Sequence, residues 1–233
     1  EIMSQLKTNI EFVKEEIKKT LNKCERNDDV TLIAVSKTVG VEQINEALDS
    51  GIENLGENKV QEVEKKYPNV SKKAIWHLIG TLQTNKVKYI IKTIDLIHSL
   101  DRIPLAKEID KRAKENDLIM DCLVQVNISL EDSKHGLLAE DVEAFVKEVS
   151  LNYNNIRIVG LMGMAPFEAE PEQTRPYFKK LKNLFDELSS LSLENVEMKY
   201  LSMGMTNDYK IAIEEGSNMI RVGTGIFGER NYV

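Results

Sequence analysis

The sequence predicts an α/β fold, a single-domain (β/α)8 TIM barrel over residues 1–233, and three observations carry that prediction. Eight short apolar runs alternate with charged segments of helical period. The runs are continuously apolar, as in parallel strands covered by helices on the outer face. The third observation is length: 233 residues is what eight such units need, since one closed α/β barrel takes about 200–250.

Residues 2–24 place Ile2, Leu6, Ile10, Val13, Ile17 and Leu21 three or four apart, an amphipathic helix with a wet Lys/Glu face. Residues 31–36 (TLIAVS) form the first strand, a short apolar run with β-branched residues and no helical period. A helix over 41–50 follows, closed by Gly51. The unit then recurs. Strands are expected at 52–55, 74–79, 93–99, 118–128, 156–162, 198–202 and 219–222. Helices are expected at 60–67, 83–91, 102–115, 140–151, 172–191 and 207–215. Nothing long follows the last strand, so the extra N-terminal helix supplies the eighth outer helix. Pro and Gly are scattered, and no linker divides the chain.

Composition narrows the function classes. Thirty-one Lys+Arg against 38 Asp+Glu give a net charge of −7, which argues against a non-specific nucleic-acid binder, whose affinity rests on basic excess. Cys24 and Cys122 lie far apart, which excludes a disulfide scaffold and a cysteine zinc site and suits a reducing compartment. No apolar run approaches the ~18–20 residues a bilayer requires, and no signal-peptide core opens the sequence. A cytoplasmic protein without a membrane partner is expected. His77, His98 and His135 lack metal-ligand spacing, so no metal site is expected. Without a G-x-S-x-G elbow or a P-loop lysine, a serine hydrolase or NTPase has no support.

In such a barrel, chemistry collects where strands end. Lys37 follows LIAVS without a gap, so its ammonium starts at the barrel mouth. Partial desolvation there favours the neutral amine, a nucleophile toward carbonyl compounds; the alternative is a solvated strand-end lysine. Asn58 stands at the second strand end, after Gly56-Glu57. Gly223-Thr224-Gly225-Ile226-Phe227-Gly228 matches G-x-G-x-x-G, but a dinucleotide site needs a following helix and an acidic residue ~20 positions on. What remains is a glycine turn after a strand, whose N–H groups can cradle a phosphate. The loop Ser202-Met203-Gly204-Met205-Thr206 has the same character, and the loops after strands 7 and 8 are the recurrent phosphate site of barrels. Plain tight turns are the alternative. Arg221, inside an apolar strand, either meets an anion or acceptor in the interior or pairs with a helix acid outside. His77 either faces the barrel or is a satisfied core histidine; Met162, Met164, Met203 and Met205 read as core or pocket wall. The pairs Lys65-Lys66 and Lys72-Lys73 read as solvated surface.

A strand-end lysine, two phosphate loops and an interior arginine on an eight-fold barrel point to pyridoxal 5′-phosphate (PLP). The sequence resembles the pyridoxal phosphate homeostasis proteins, single-domain relatives of the alanine racemase N-terminal barrel. The stretches that carry the resemblance are AVSKT (34–38), GENKVQE (56–62), WHLIGTLQTNK (76–86), HSLDR (98–102), VNISLEDSKHG (126–136), GLMGM (160–164), LSMGMTND (201–208) and MIRVGTGIFGER (219–230). Thr81 and Thr206 depart from the family's usual Pro and Ser; the first loses a turn constraint, the second keeps a hydroxyl. The resemblance implies a fold-type III PLP protein with PLP as a covalent aldimine on Lys37. It implies phosphate contacts at Ser202, Gly204, Gly223 and Thr224, Arg221 at the pyridine nitrogen, and Asn58 among the cofactor-binding residues. It also implies a monomer that holds or delivers PLP, with PLP-accepting apoenzymes as partners and no robust catalysis.

Two other classes stay open. A PLP-dependent amino-acid racemase needs a second base opposite Lys37. In alanine racemase that tyrosine comes from an added C-terminal domain; the sequence given ends at Val233, so no such domain is expected, and Tyr209 or His135 would have to serve. A cofactor-free Schiff-base aldolase would use Lys37 on a sugar phosphate.

Overall fold

The computed structural model describes residues 3–132 and 135–229. Ile2 of the first expected helix, Ser133 and Lys134 of the 126–136 stretch, and residues 230–233, with Arg230 and Val233, lie outside the described residues. Strands β1 (Thr31–Val35), β2 (Asn54–Glu57), β3 (Ile75–Leu78), β4 (Leu96–Leu100), β5 (Met120–Gln125), β6 (Ile156–Met162), β7 (Val196–Ser202) and β8 (Met219–Val222) pair in parallel in chain order, and β8 returns to β1. Around them run α1 (Gln5–Lys23), α2 (Val41–Asp49), α3 (Val60–Lys66), α4 (Val87–Ile90), α5 (Ile103–Glu115), α6 (Ala139–Asn152), α7 (Arg175–Ser189), α8 (Tyr209–Glu214) and α9 (Thr224–Phe227). This is the α/β TIM barrel with an extra N-terminal helix that the alternation predicts.

Helix α1 starts where the Ser4 hydroxyl accepts the Lys7 N–H at 3.2 Å. It buries Leu6, Ile10, Val13 and Ile17 against α2, α8 and α9, which closes the outer ring. Each such side chain contributes about 1.5–3 kcal/mol of burial. No helix among the described residues is long and apolar enough to cross a membrane.

Two expected strand starts prove to be helix ends. Ile52 was counted as strand, but its N–H bonds to the Ala47 carbonyl (3.1 Å) while Gly51, at φ +102, bonds to Leu48 (3.2 Å). That is a Schellman stop, whose apolar partner is the residue just past the glycine. Leu118 plays the same part after α5 (N–H to Ala113, 3.0 Å), so β2 and β5 both begin two residues later than expected. Helix α8 ends with the same hydrogen-bond pattern, Ser217 N–H to Ala212 at 2.9 Å, ahead of a last strand that begins where expected. The expected helix over 83–91 is a 3-10 turn, Thr84–Lys86, leading into α4. The expected helix over 172–191 is likewise a 3-10 turn, Pro171–Thr174, before α7, which carries Pro176 in its first turn. A one-turn α9 follows β8, where no helix was anticipated.

The two-residue period of the strands sorts side chains between barrel interior and helix layer. Ile33, Leu96, Leu123, Val159 and Met219 form the inner cluster, whereas Leu32, Ala34, Ile220 and Val222 pack outward. Register pairs Ile33 with Arg221 and Val35 with Gly56.

Candidate functional site

In a closed parallel barrel all strand C-termini emerge at one end, which gathers the residues the sequence singled out. Lys37 lies two residues past the end of β1, half-buried in the turn at the barrel mouth. Asn58 lies as far past the Val35–Gly56 pair as Lys37 does, and Gly80 closes on its backbone, where a Cβ would collide. Ser202 ends β7 fully buried. Gly204, at φ +106, accepts the Arg221 N–H at 3.0 Å, and a Cβ there would meet Ala212 at 2.7 Å. The Gly225 N–H donates to the Thr206 hydroxyl (3.3 Å), so the hydroxyl kept at position 206 joins the two glycine loops. Gly223 precedes α9, and the Thr224 side of that turn is exposed.

Arg221 lies inside, with no outer-helix acid as partner. It is 3 % exposed, and its Nη2 donates to the Gly163 carbonyl at 3.0 Å. Its Nε has no hydrogen-bond partner among the described residues. Burial pushes its pKa down to about 10, with Asp208 opposing, so it stays cationic at neutral pH.

Lys66 corrects the sequence reading. Lys65-Lys66 was taken as solvated surface, yet Lys66 is 5 % exposed. Its Nζ donates to the Ser36 carbonyl (2.7 Å), Glu57 Oε2 (2.9 Å) and Glu62 Oε1 (3.3 Å). Ser36 Oγ donates to Glu57, and Glu62 Oε1 accepts the Thr38 N–H at 3.0 Å. Ser36 and Thr38 flank Lys37, so this network grips the backbone on both sides of the lysine. Burial raises the Glu57 carboxyl above its ordinary value, with Lys66 opposing. The outward position of Glu57, opposite in parity to Gly56, is the signal that places it under α3. It was missed because strand 2 was set two residues early.

A second network fills the interior. His77, expected as a core histidine or a barrel-facing one, is both. Its Nε2 meets Asn54 Oδ1 and its Nδ1 meets His98 Nε2, each at 2.9 Å. His98 Nδ1 meets Ser202 Oγ at 3.2 Å. Burial holds His77 down to about 3 and His98 well below the usual histidine range, so both are neutral. The polar His98 inside the apolar run LIHSL is the sequence signal that could have found this chain.

The two candidate opposing bases differ in their surroundings. Tyr209 is buried at the start of α8, and burial together with Glu16 of α1 pushes its hydroxyl up to about 12. His135 is exposed on the loop after β5.

Comparison with known proteins gives a consistent result. The profile of the family "Alanine racemase, N-terminal domain" matches residues 5–231. The chain is 44% identical over 222 residues to the pyridoxal phosphate homeostasis protein of Aquifex aeolicus, covering 94% of this chain and 96% of that one. To the protein of the same name from Escherichia coli it is 32% identical over 235 residues, 99% of each. PipY of Synechococcus elongatus, solved with PLP bound, superposes with a TM-score of 0.83 at 30% identity, over 96% of this chain and 100% of that one. An alanine racemase from Clostridium difficile shares the fold (TM-score 0.67, 16% identity), over 94% of this chain and 57% of that one. With strand order, barrel closure and sequence all agreeing, the chain belongs to the alanine racemase N-terminal domain family and, within it, to the pyridoxal phosphate homeostasis proteins.

Proposed function

We propose that this protein binds PLP at the barrel mouth, as a Schiff base on Lys37, and serves intracellular PLP homeostasis as a carrier. The observation that carries the reading is Arg221. A buried cationic N–H left without an acceptor costs about 1–3 kcal/mol or more. Its Nε is such a group, two residues before the Gly223-Thr224 turn. The acceptor nitrogen of a pyridine ring satisfies it, and the adjacent glycine turns leave N–H groups and the Ser202 and Thr224 hydroxyls for a phosphate. These residues fit PLP. When bound, PLP supplies an aldehyde carbon for the lysine and a ring that can withdraw electrons.

The chain's own residues limit that withdrawal. Arg221 donates through Nε and keeps its proton at neutral pH, so a ring nitrogen facing it stays unprotonated. A carboxylate partner would do the opposite. Lys37 serves one face of the site, and the Tyr209 hydroxyl, buried and close enough to Glu16 to feel its charge, has its pKa pushed up to about 12. We therefore expect deuterium wash-in at the α-carbon of alanine and serine to stay below one turnover per protein within minutes. Multiple turnovers, abolished by Lys37→Ala and by Tyr209→Phe or His135→Ala, would establish the racemase reading instead.

The phosphate assignment has its own test. Each lost hydrogen bond to a charged group costs about 1.5–3 kcal/mol. Ser202→Ala and Thr224→Val should thus each weaken PLP binding roughly tenfold to a hundredfold, measured by titrating the visible absorbance band. Unchanged affinity in both places the phosphate elsewhere, and a protein that stays colourless with PLP removes the whole reading in favour of a cofactor-free Schiff base.

A further inference from the structure

The chain Asn54–His77–His98–Ser202 runs through the barrel interior, from one end toward the candidate phosphate site, and it has a direction. A neutral imidazole donates through one nitrogen and accepts through the other. Asn54 presents Oδ1, which only accepts, so His77 Nε2 carries the proton and His77 Nδ1 is bare. His98 Nε2 must then donate to His77, which leaves His98 Nδ1 bare and able only to accept from Ser202 Oγ. The single hydroxyl proton of Ser202 is thereby directed inward, and its oxygen offers the mouth lone pairs alone. A phosphate carrying close to two negative charges needs a donor there. The structure drawn this way disfavours the contact it is placed to make.

One side chain can reverse the chain. Among the described residues the Asn54 side chain makes no other hydrogen bond, and it lines a solvent-open cavity at the opposite end of the barrel, beside Lys14, Thr31 and Glu53. We propose that Asn54 is a positioning residue for the phosphate: turning its carboxamide to present Nδ2 to His77 reverses the polarity of the chain and frees the Ser202 hydroxyl to donate to the phosphate. In the reversed state Asn54 Nδ2 donates to His77 Nε2, His77 Nδ1 to His98 Nε2, and His98 Nδ1 to Ser202 Oγ. Each imidazole keeps one proton and changes the nitrogen that bears it. One proton enters Oγ at the mouth and one leaves His77 Nε2 by way of the turning Asn54 carboxamide, which borders the solvent-open cavity, so the count in the chain is unchanged. The inference rests on the reading that the phosphate of PLP lies at Ser202.

The test is proton-detected correlation spectroscopy of protein labelled with nitrogen-15 histidine, with and without PLP. His77 and His98 are expected to carry their protons on Nε2 in the free protein and on Nδ1 when PLP is saturating; exposed His135 serves as reference. Unchanged tautomers overturn the inference. A double-mutant cycle adds an independent readout. Asn54→Leu should weaken PLP roughly tenfold, since it leaves a bare buried acceptor at His77, and should cost nothing further in a Ser202→Ala background. Equal losses in both backgrounds make Asn54 merely structural and also overturn it. The two levels separate cleanly: if Ser202→Ala weakens PLP but the tautomers stay fixed, the inference alone falls. If Ser202→Ala leaves affinity unchanged, the phosphate reading falls and this inference with it.

Discussion

Lys37→Ala is expected to remove the visible absorbance band of bound PLP, and borohydride reduction of the unaltered protein is expected to place the pyridoxyl group on the peptide containing Lys37. The expectation rests on how the backbone presents the amine. Lys37 sits in the turn just past β1, where Ser36 on one side is anchored by Lys66 while Thr38 on the other donates to Glu62. Thr38 itself sits at φ +62, a left-handed conformation that costs a β-branched residue on the order of 1–3 kcal/mol. Such an outlier persists where its surroundings hold it, and here they hold the residue next to the amine. Label on a different lysine, with Lys37→Ala keeping its full band, would move the Schiff base elsewhere.

Lys66→Met should be the most destabilising single change in the mouth, at about 3–5 kcal/mol near neutral pH, because it leaves the buried Glu57 carboxylate without its cation. The loss should shrink in acid, and the sign follows from linkage. Burial already raises Glu57, and without Lys66 to oppose it the folded-state value rises further. A carboxyl raised in the folded state contributes stability that is full below its unfolded value and lost as pH rises through its folded value. Denaturant midpoints for Lys66→Met should thus approach those of the parent at mildly acidic pH and diverge as pH rises. Adding Glu57→Gln, which keeps an acceptor for Ser36 and removes the charge, should restore most of the stability at neutral pH. A loss independent of pH and unrelieved by Glu57→Gln would show that Lys66 acts through packing alone.

The comparison of sequence with structure turns on particular residues. Lys37, Ser202, Arg221 and the glycine turns were legible because each interrupts or ends an apolar run, and apolar runs are the strongest local signal a barrel offers. Ile52 and Leu118 misled for the same reason: an apolar residue after a helix-ending turn has strand-like composition, but its burial is against the helix it follows. Lys66 misled in the other direction. A lysine on a short polar helix is normally wet, and only the approach of α3 to the ends of β1 and β2 surrounds it with acceptors.

By itself the sequence determined the closed eight-strand order and which residues stand at the strand ends, because strand parity and strand termini are one-dimensional properties. Only the tertiary structure decided which polar groups meet. Glu57, Lys66 and Ser36 come from β2, α3 and the residue just past β1, and Asn54, His77, His98 and Ser202 come from four strands, β2, β3, β4 and β7. Such contacts depend on barrel stagger and helix docking, and these are set by packing the whole core at once. A local pattern of residues does not contain them.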